Sequence, residues 1–246
     1  MTGAANRAAI ITGGAYGIGR AAARALAEDG WSVLIVDRDE RRTDETVDLI
    51  RATGGNARGL IGDVSDPVCA VDAVAQAQAH LGALRGLVNC AAVRIGGRIT
   101  DISFDQWQAS FRIGLDGVFN FCKAGIPAMT ENGGGSIVNI SSPSAFGRKG
   151  LVAYSATKAA INTLSSCLAA DHAEDRIRVN VVIPGFTVTG MTEHYSADKM
   201  AIVAAQSPSS RPAEPDEIAT LIRFLMSPAG ESFTGGQFGS LPLPSF

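Results

Sequence analysis

The chain has 246 residues, 46% of them hydrophobic and 18% charged, with a formal net charge of -3. That balance suits a packed globular core rather than a disordered chain, and so small a charge points to neither a nucleic-acid nor a membrane-surface partner. No apolar run approaches the roughly 18 residues of a membrane span, and no secretory leader is expected ahead of a first strand at Arg7 to Thr12, so the cytoplasm is the expected location.

In chain order, Ala8-Ala9-Ile10-Ile11 reads as a buried strand and residues 17–29 as a helix. Residues 31–36 read as a second strand, 40–52 as a charged surface helix and 57–61 as a third strand. Asp66 and Pro67 supply an N-cap and first-turn pair for the next helix. Further strands are predicted over 84–88, 136–140 (after the turn Gly134-Gly135) and 178–183. Short apolar strands separated by helices of ten or more residues are the pattern of βαβ units. The expected fold is therefore α/β: one doubly wound parallel sheet of Rossmann type, helices on both faces, in a single domain spanning 1–246.

The first strand runs directly into Thr12-Gly13-Gly14-Ala15-Tyr16-Gly17-Ile18-Gly19 and then a helix. A tight turn there needs residues without Cβ, and the helix N-terminus offers free N–H groups to a pyrophosphate. Asp37 follows 18 residues after Gly19, where such folds put an acid on the adenosine ribose. A carboxylate accepts from both ribose hydroxyls and repels a 2′-phosphate, so NAD is the expected cofactor. Arg38 follows this acid and does not replace it. The four cysteines, Cys69, Cys90, Cys122 and Cys167, show no paired spacing, and reduced, buried thiols with no metal are expected.

Tyr154-Ser155-Ala156-Thr157-Lys158 places a phenol and an ammonium four residues apart on one helix face. Oxidising an alcohol needs a base for the hydroxyl proton and donors for the developing alkoxide. A neighbouring cation favours the ionised phenol. Tyr195-Ser196-Ala197-Asp198-Lys199 repeats the spacing, but context separates the two. Ser142, twelve residues before Tyr154, follows an apolar strand and emerges at the sheet's carboxyl edge, whereas Ile183, twelve before Tyr195, lies inside a strand. Tyr195 is expected in a surface segment over the substrate pocket. Ser141 and Ser144 remain alternatives to Ser142.

The glycine spacing TGxxxGxG, rather than GxGxxG, resembles the short-chain dehydrogenase/reductase family in its compact form, and the resemblance covers nearly the whole chain. It implies catalytic roles for Ser142, Tyr154 and Lys158, with Lys158 also on the ribose hydroxyls. It implies adenine contacts from Asp63 and Val64, and nicotinamide-ribose contacts around Asn89 and Ala91. Pro184, Gly185, Thr187 and Thr189 resemble the segment that positions the carboxamide. Cofactor contacts are further expected from Thr12, Gly13, Tyr16, Gly17, Ile18 and Gly19.

Two departures stand out. Relatives usually have an asparagine seven residues after the tryptophan that Trp107 resembles, where it anchors a water on the proton route. Here that position is Gly114, which keeps a backbone carbonyl, loses the amide and suggests a local irregularity or a close neighbour. Relatives also end a last strand with Asp-Gly-Gly, where this chain has Gly239-Ser240-Leu241-Pro242; Pro242 and Pro244 cannot continue a central strand. That region packs at a subunit interface in relatives, so a homotetramer or homodimer is implied without being fixed.

The expected function is NAD-dependent interconversion of a small alcohol and a carbonyl compound. A catalytically weak NAD-binding sensor or scaffold is the alternative, and a sugar-nucleotide epimerase a third that normally needs a longer C-terminal region. Arg94, Arg98, Arg148, Lys149 and His194 fall in segments expected around the substrate, which leaves an anionic substrate open.

Overall fold

The computed structural model describes residues 7–190, 195–205, 207 and 209–239. Among them, seven strands form one parallel sheet: β1 (Arg7–Thr12), β2 (Ser32–Asp37), β3 (Ala57–Ile61), β4 (Ala83–Asn89), β5 (Gly135–Ile140), β6 (Ile177–Ile183) and β7 (Gln237–Gly239). Their spatial order is β3-β2-β1-β4-β5-β6-β7. The connections are α1 (Gly17–Glu28), α2 (Glu40–Ala52), α3 (Pro67–His80), α4 (Phe104–Phe111), α5 (Gly117–Glu131), α6 (Val152–Asp171), α7 (Ala197–Ala205) and α8 (Pro215–Met226). Asp66 caps α3 by accepting from the Val68 amide, with Pro67 in the first turn, as that residue pair predicts.

Alternate residues of the strands feed two cores. Ala8, Ile10, Leu34 and Val36 pack with buried residues of α3, α5 and α6. Ala9, Ile11, Val33 and Ile35 pack with α1, α2 and α8 on the other face. Each fully buried aliphatic or aromatic side chain contributes about 1.5–3 kcal/mol of transfer free energy, and covering both faces explains why the strands read as unbroken apolar runs.

The strand limits differ from the sequence reading by a residue or so because polar residues pair at strand ends. Asp37 still lies opposite Ile61, and Asn89 opposite Thr12 and Asn139. The seventh strand has no counterpart in that reading. It is three residues long and pairs with β6, and side chains of β6 hold the segment leading to it. Arg178 donates to the carbonyls of Leu225, Gly230 and Phe233, and Asn180 joins Phe233 to Gly236. Pro242 and Pro244 lie outside the described residues.

Between α4 and α5 the chain widens into a five-residue π-helical segment, Arg112–Asp116, a device frequent at functional sites. Gly114 is buried at its centre, and a Cβ there would stand 2.6 Å from Thr157 Cγ2 on α6. Both features expected of that glycine, an irregularity and a close neighbour, are present. No described helix is long and apolar enough to cross a membrane.

Candidate active site

The strand order reverses at β1 and β4, and a crevice opens beyond the carboxyl ends of the strands at such a point. A cavity of about 670 Å³ occupies it. One end is built by the β1–α1 turn. Gly13 has φ +65°, and a Cβ on it would meet Ala91 Cα at 2.8 Å; a Cβ on Gly19 would meet the Gly13 carbonyl oxygen at 2.1 Å. The turn can therefore lie against the β4 loop and α1 only without side chains at these positions. The Tyr16 side chain makes no cap bond to α1, and Tyr16, Gly17 and Ile18 at the start of the helix line the cavity, where a helix N-terminus favours an anion.

Asp37 lines the same end. Its carboxylate accepts from the Ala15 amide at 3.2 Å and the Asp39 amide at 3.2 Å, so it also ties the glycine turn to the end of β2. Tyr16, Gly17 and Ile18 form the adjoining wall. Asp63 and Val64 line a smaller adjacent cavity of about 110 Å³, shared with Gly13, Asp37 and Ala91. Hydrogen bonds from Ser65 hold the Asp63 carboxyl below its ordinary range.

Three predicted contacts take other positions. Thr12 is buried and its Oγ1 accepts from the Cys90 and Ala91 amides, which fixes the β4 loop instead of lining the cavity. Gly19 acts through close packing, as described. The Asn89 side chain points into the sheet and donates to Asn139 Oδ1 at 2.8 Å; Asn139 in turn donates to Ser165 on α6. Asn89 is therefore a buried link between strands, and the cavity wall there is made by Cys90, Ala91 and Ala92.

At the other end stand Ser142, Tyr154 and Lys158, with Pro184, Gly185, Thr187 and Thr189 alongside. Ser142 begins the short turn Pro143–Phe146 just after β5, and its Oγ accepts from the Ser144 amide. Ser141, the alternative, is buried and donates to the Lys158 carbonyl, so its hydroxyl is already committed. Ser144 is buried as well. Of the three serines, Ser142 has the hydroxyl that acts on Tyr154.

Burial pushes the Tyr154 phenol up, against hydrogen bonding from Ser142 and the positive charge of Arg94. The net direction is opposite to the one expected from a neighbouring cation favouring the ionised phenol, because desolvation outweighs the groups that lower it. Lys158 is itself buried, donates to the Ile140 carbonyl at 2.6 Å, and is lowered by that burial to about 8. Its Nζ is 5.7 Å from the Tyr154 ring centre. The ammonium is thus fixed beside the phenol by the end of β5.

Tyr195 lines the same cavity and stacks on Phe186 with ring centres 5.5 Å apart, over the pocket as expected. Arg94, Arg148 and Lys149 also line it; Arg98 does not, and His194 lies outside the described residues. Cys69 and Cys122 are buried, but Cys167 is exposed and Cys90 half-buried on the cavity wall, so uniform burial of the thiols was too simple. The sequence reading missed Asp39 and Arg42, which line the adenosine end as expected for Asp37. Asp39 caps α2, and the Arg42 guanidinium lies 4.6 Å from the Tyr16 ring centre. The N-cap pattern of Asp39 before a charged helix was the available signal.

Comparison with known proteins accords with this geometry. A family model for short chain dehydrogenase matches residues 7–200. The chain is 34% identical over 232 residues to a 2,5-dichloro-2,5-cyclohexadiene-1,4-diol dehydrogenase of Sphingobium indicum, covering 94% of this chain and 93% of the relative. It is 36% identical over 233 residues to a cis-4-hydroxycyclohexanecarboxylate dehydrogenase of Sinomonas cyclohexanicum, with 94% and 93% covered. A crystal structure of a variant actinorhodin polyketide ketoreductase with NADPH superimposes with a TM-score of 0.91 at 29% identity, over 96% of each chain. With its doubly wound sheet, its glycine turn and its match over most of its length, the chain belongs to the short-chain dehydrogenase family.

Proposed function

We propose that the chain is an NAD-dependent oxidoreductase, acting as a single nucleotide-binding domain, that interconverts a secondary alcohol and a ketone (or a primary alcohol and an aldehyde) with Tyr154 as acid/base. The observation that carries this reading is that Ser142, Tyr154 and Lys158 line one cavity whose far end is lined by Asp37 and the start of α1. The relatives named above act, by their names, on a cyclic diol and a hydroxycyclohexane carboxylate, which supports a small alcohol substrate. A homodimer or homotetramer belongs to the same reading, supported by the exposed Phe104 and Phe119 of α4 and α5.

A dinucleotide fits the residues present. The tight turn at Gly13 and Gly19, packed too closely on the Ala91 and Gly13 backbones to admit a Cβ, brings the start of α1 to the cavity and suits a pyrophosphate, and Asp37 suits the adenosine ribose hydroxyls. Asp63 and Val64 would face the adenine, while Tyr16, Gly17 and Ile18 flank the phosphates. Ala91, Pro184, Gly185, Thr187 and Thr189 would hold the nicotinamide end. The cofactor supplies the hydride acceptor. The protein's own residues then handle the proton and the oxygen. Ser142 donates a hydrogen bond to the substrate oxygen, Tyr154 Oη takes the hydroxyl proton during oxidation or returns it during reduction, and Lys158 orients the ribose and passes the proton towards solvent. With its pKa raised, Tyr154 is a ready proton donor at neutral pH and becomes a base only as pH rises. Alcohol oxidation is therefore expected to speed up with pH, while carbonyl reduction does not.

Arg38 and Arg42 line the adenosine end together with Asp37, and the ketoreductase above holds NADPH, so nucleotide preference is the first part to measure. The expected kcat/KM favours NAD over NADP strongly, and Tyr154→Phe lowers kcat at least about a hundredfold. Comparable kcat/KM for the two nucleotides would overturn the NAD assignment; an active Tyr154→Phe variant would overturn the acid/base assignment.

A further inference from the structure

Charge is distributed unevenly within the cavity. The acids that line it, Asp37 and Asp39, stand at the adenosine end, and both already accept hydrogen bonds from backbone amides. The half around Tyr154 is lined instead by Arg94 from the loop after β4, and by Arg148 and Lys149 from the loop before α6. Among the described residues, none of these three cations makes a hydrogen bond or an ion pair. Elsewhere Arg20 and Arg41 meet Glu45, Arg211 meets Glu217 and Arg223 meets Asp29, while Arg24, Arg38 and Arg58 make no ion pair among the described residues. Carboxylates are not scarce, since the net charge is -3. What sets these three cations apart is their place: they line the cavity beside Tyr154, and the only acids among the described residues that line it, Asp37 and Asp39, stand at the other end.

The arrangement reaches the reacting group. The charge of Arg94 acts on the Tyr154 phenol, so an anion seated on Arg94 lies close to the substrate's reacting end. The stacked rings of Phe186 and Tyr195 line the same half and offer an apolar face to a compact carbon skeleton. Within a recess, cations of one sign concentrate field lines and raise the local concentration of an oppositely charged ligand.

We infer that the alcohol taken by this site carries an anionic group on a compact apolar body, with Arg94 receiving that group and Arg148 and Lys149 flanking it. This inference rests on the oxidoreductase reading above and adds the substrate class to it. A carboxylate suits best, because a planar guanidinium can donate two parallel hydrogen bonds to it; sulfonate and phosphate share the charge without the planarity.

The test uses the full chain and a panel of secondary alcohols, each supplied as the carboxylate and as its primary amide. Suitable pairs are 3-hydroxybutanoate and 3-hydroxycyclohexanecarboxylate with their amides, plus the corresponding cyclohexane sulfonate. The expected kcat/KM is at least about tenfold higher for an acid than for its amide, and the acid's KM rises with added salt as exposed charges are screened. In Arg94→Gln the acid-to-amide ratio of kcat/KM falls at least about tenfold. The ratio cancels the influence of Arg94 on Tyr154, which both substrates share. A preference for the sulfonate over the carboxylate keeps the anionic site and changes only its geometry. Turnover of amides at least as efficient as that of acids, or an unchanged ratio in Arg94→Gln, overturns the inference and leaves the oxidoreductase reading standing. No turnover of any member with NAD or NADP overturns that underlying reading, and the inference with it.

Discussion

Lys158 couples the site to the stability of the fold, and the coupling has a sign and a size. In the folded, nucleotide-free protein the buried ammonium is lowered to about 8 from its ordinary 10.5. Between those two values the unfolded chain holds the proton and the folded chain does not. Raising pH through this window therefore favours folding, and below it the full cost of burying the charge is present. Lys158→Met removes the titration while keeping an unbranched apolar stem of similar length. It also leaves the Ile140 carbonyl without its donor, but that loss is a constant offset, because the variant does not titrate there and the neutral amine of wild type still donates. Integrating the linkage relation gives wild type a gain over the variant of about 2 kcal/mol between about pH 7 and about pH 9.5. Urea unfolding of both proteins across that range, without nucleotide, measures the difference directly. A difference that stays flat, or that moves against wild type as pH rises, would refute the claim that Lys158 is held at an energetic cost by burial.

Gly114→Asn or Gly114→Ala puts a Cβ 2.6 Å from Thr157 Cγ2, so either should cost about 1–3 kcal/mol by overpacking and lower kcat by moving Lys158's turn of α6. Adding Thr157→Ser, which removes that methyl but keeps the hydroxyl bonded to Ala153 and Ser110, should recover most of the loss in urea unfolding. A rise in kcat with asparagine alone would mean instead that a missing amide limits the proton route. Tyr195→Phe should change KM with kcat held within about threefold in steady-state assays; a hundredfold fall in kcat would move the acid/base role away from Tyr154. Asp37→Ala should reduce the preference for NAD over NADP. It should also cost about 1–3 kcal/mol, because the Ala15 and Asp39 amides lose their acceptor, which thermal unfolding without nucleotide would show.

The strands and the β1–α1 turn were legible because the signals that specify them are local. Buried parallel strands need unbroken apolar runs, and the turn needs small residues at fixed offsets. What escaped the sequence depends on partners far along the chain. Asn89 turns into the sheet because Asn139 lies beside it across the ladder, and no spacing within the Asn89 segment announces that. β7 was missed because three residues carry no periodicity, and the segment before it is held by Arg178 and Asn180 from β6. The spacing of Tyr154 and Lys158 correctly brought the two side chains to one cavity. It could not tell that burial, not the mutual charge, sets the direction of each pKa, because depth beneath the surface is a property of the whole fold. The cation cluster was half legible: Arg94, Arg148 and Lys149 fell in the expected loops, but only the folded chain separates them from Arg98.

The contact between Gly114 and Thr157 ties together two positions 43 apart in the sequence and makes a statement about ancestry. A chain that acquires a larger residue at 114 must pass through a crowded intermediate unless position 157 has already lost its methyl. Across close relatives the two positions should therefore vary as a pair, with a Cβ at the first accompanied by serine, alanine or glycine at the second. The order of replacement is expected to be fixed as well, trimming first and filling second, because the reverse order compresses the helix turn that carries the site's lysine. A reconstructed ancestor with a bulky residue at 114 and threonine at 157 would be the costly step that such a lineage avoids.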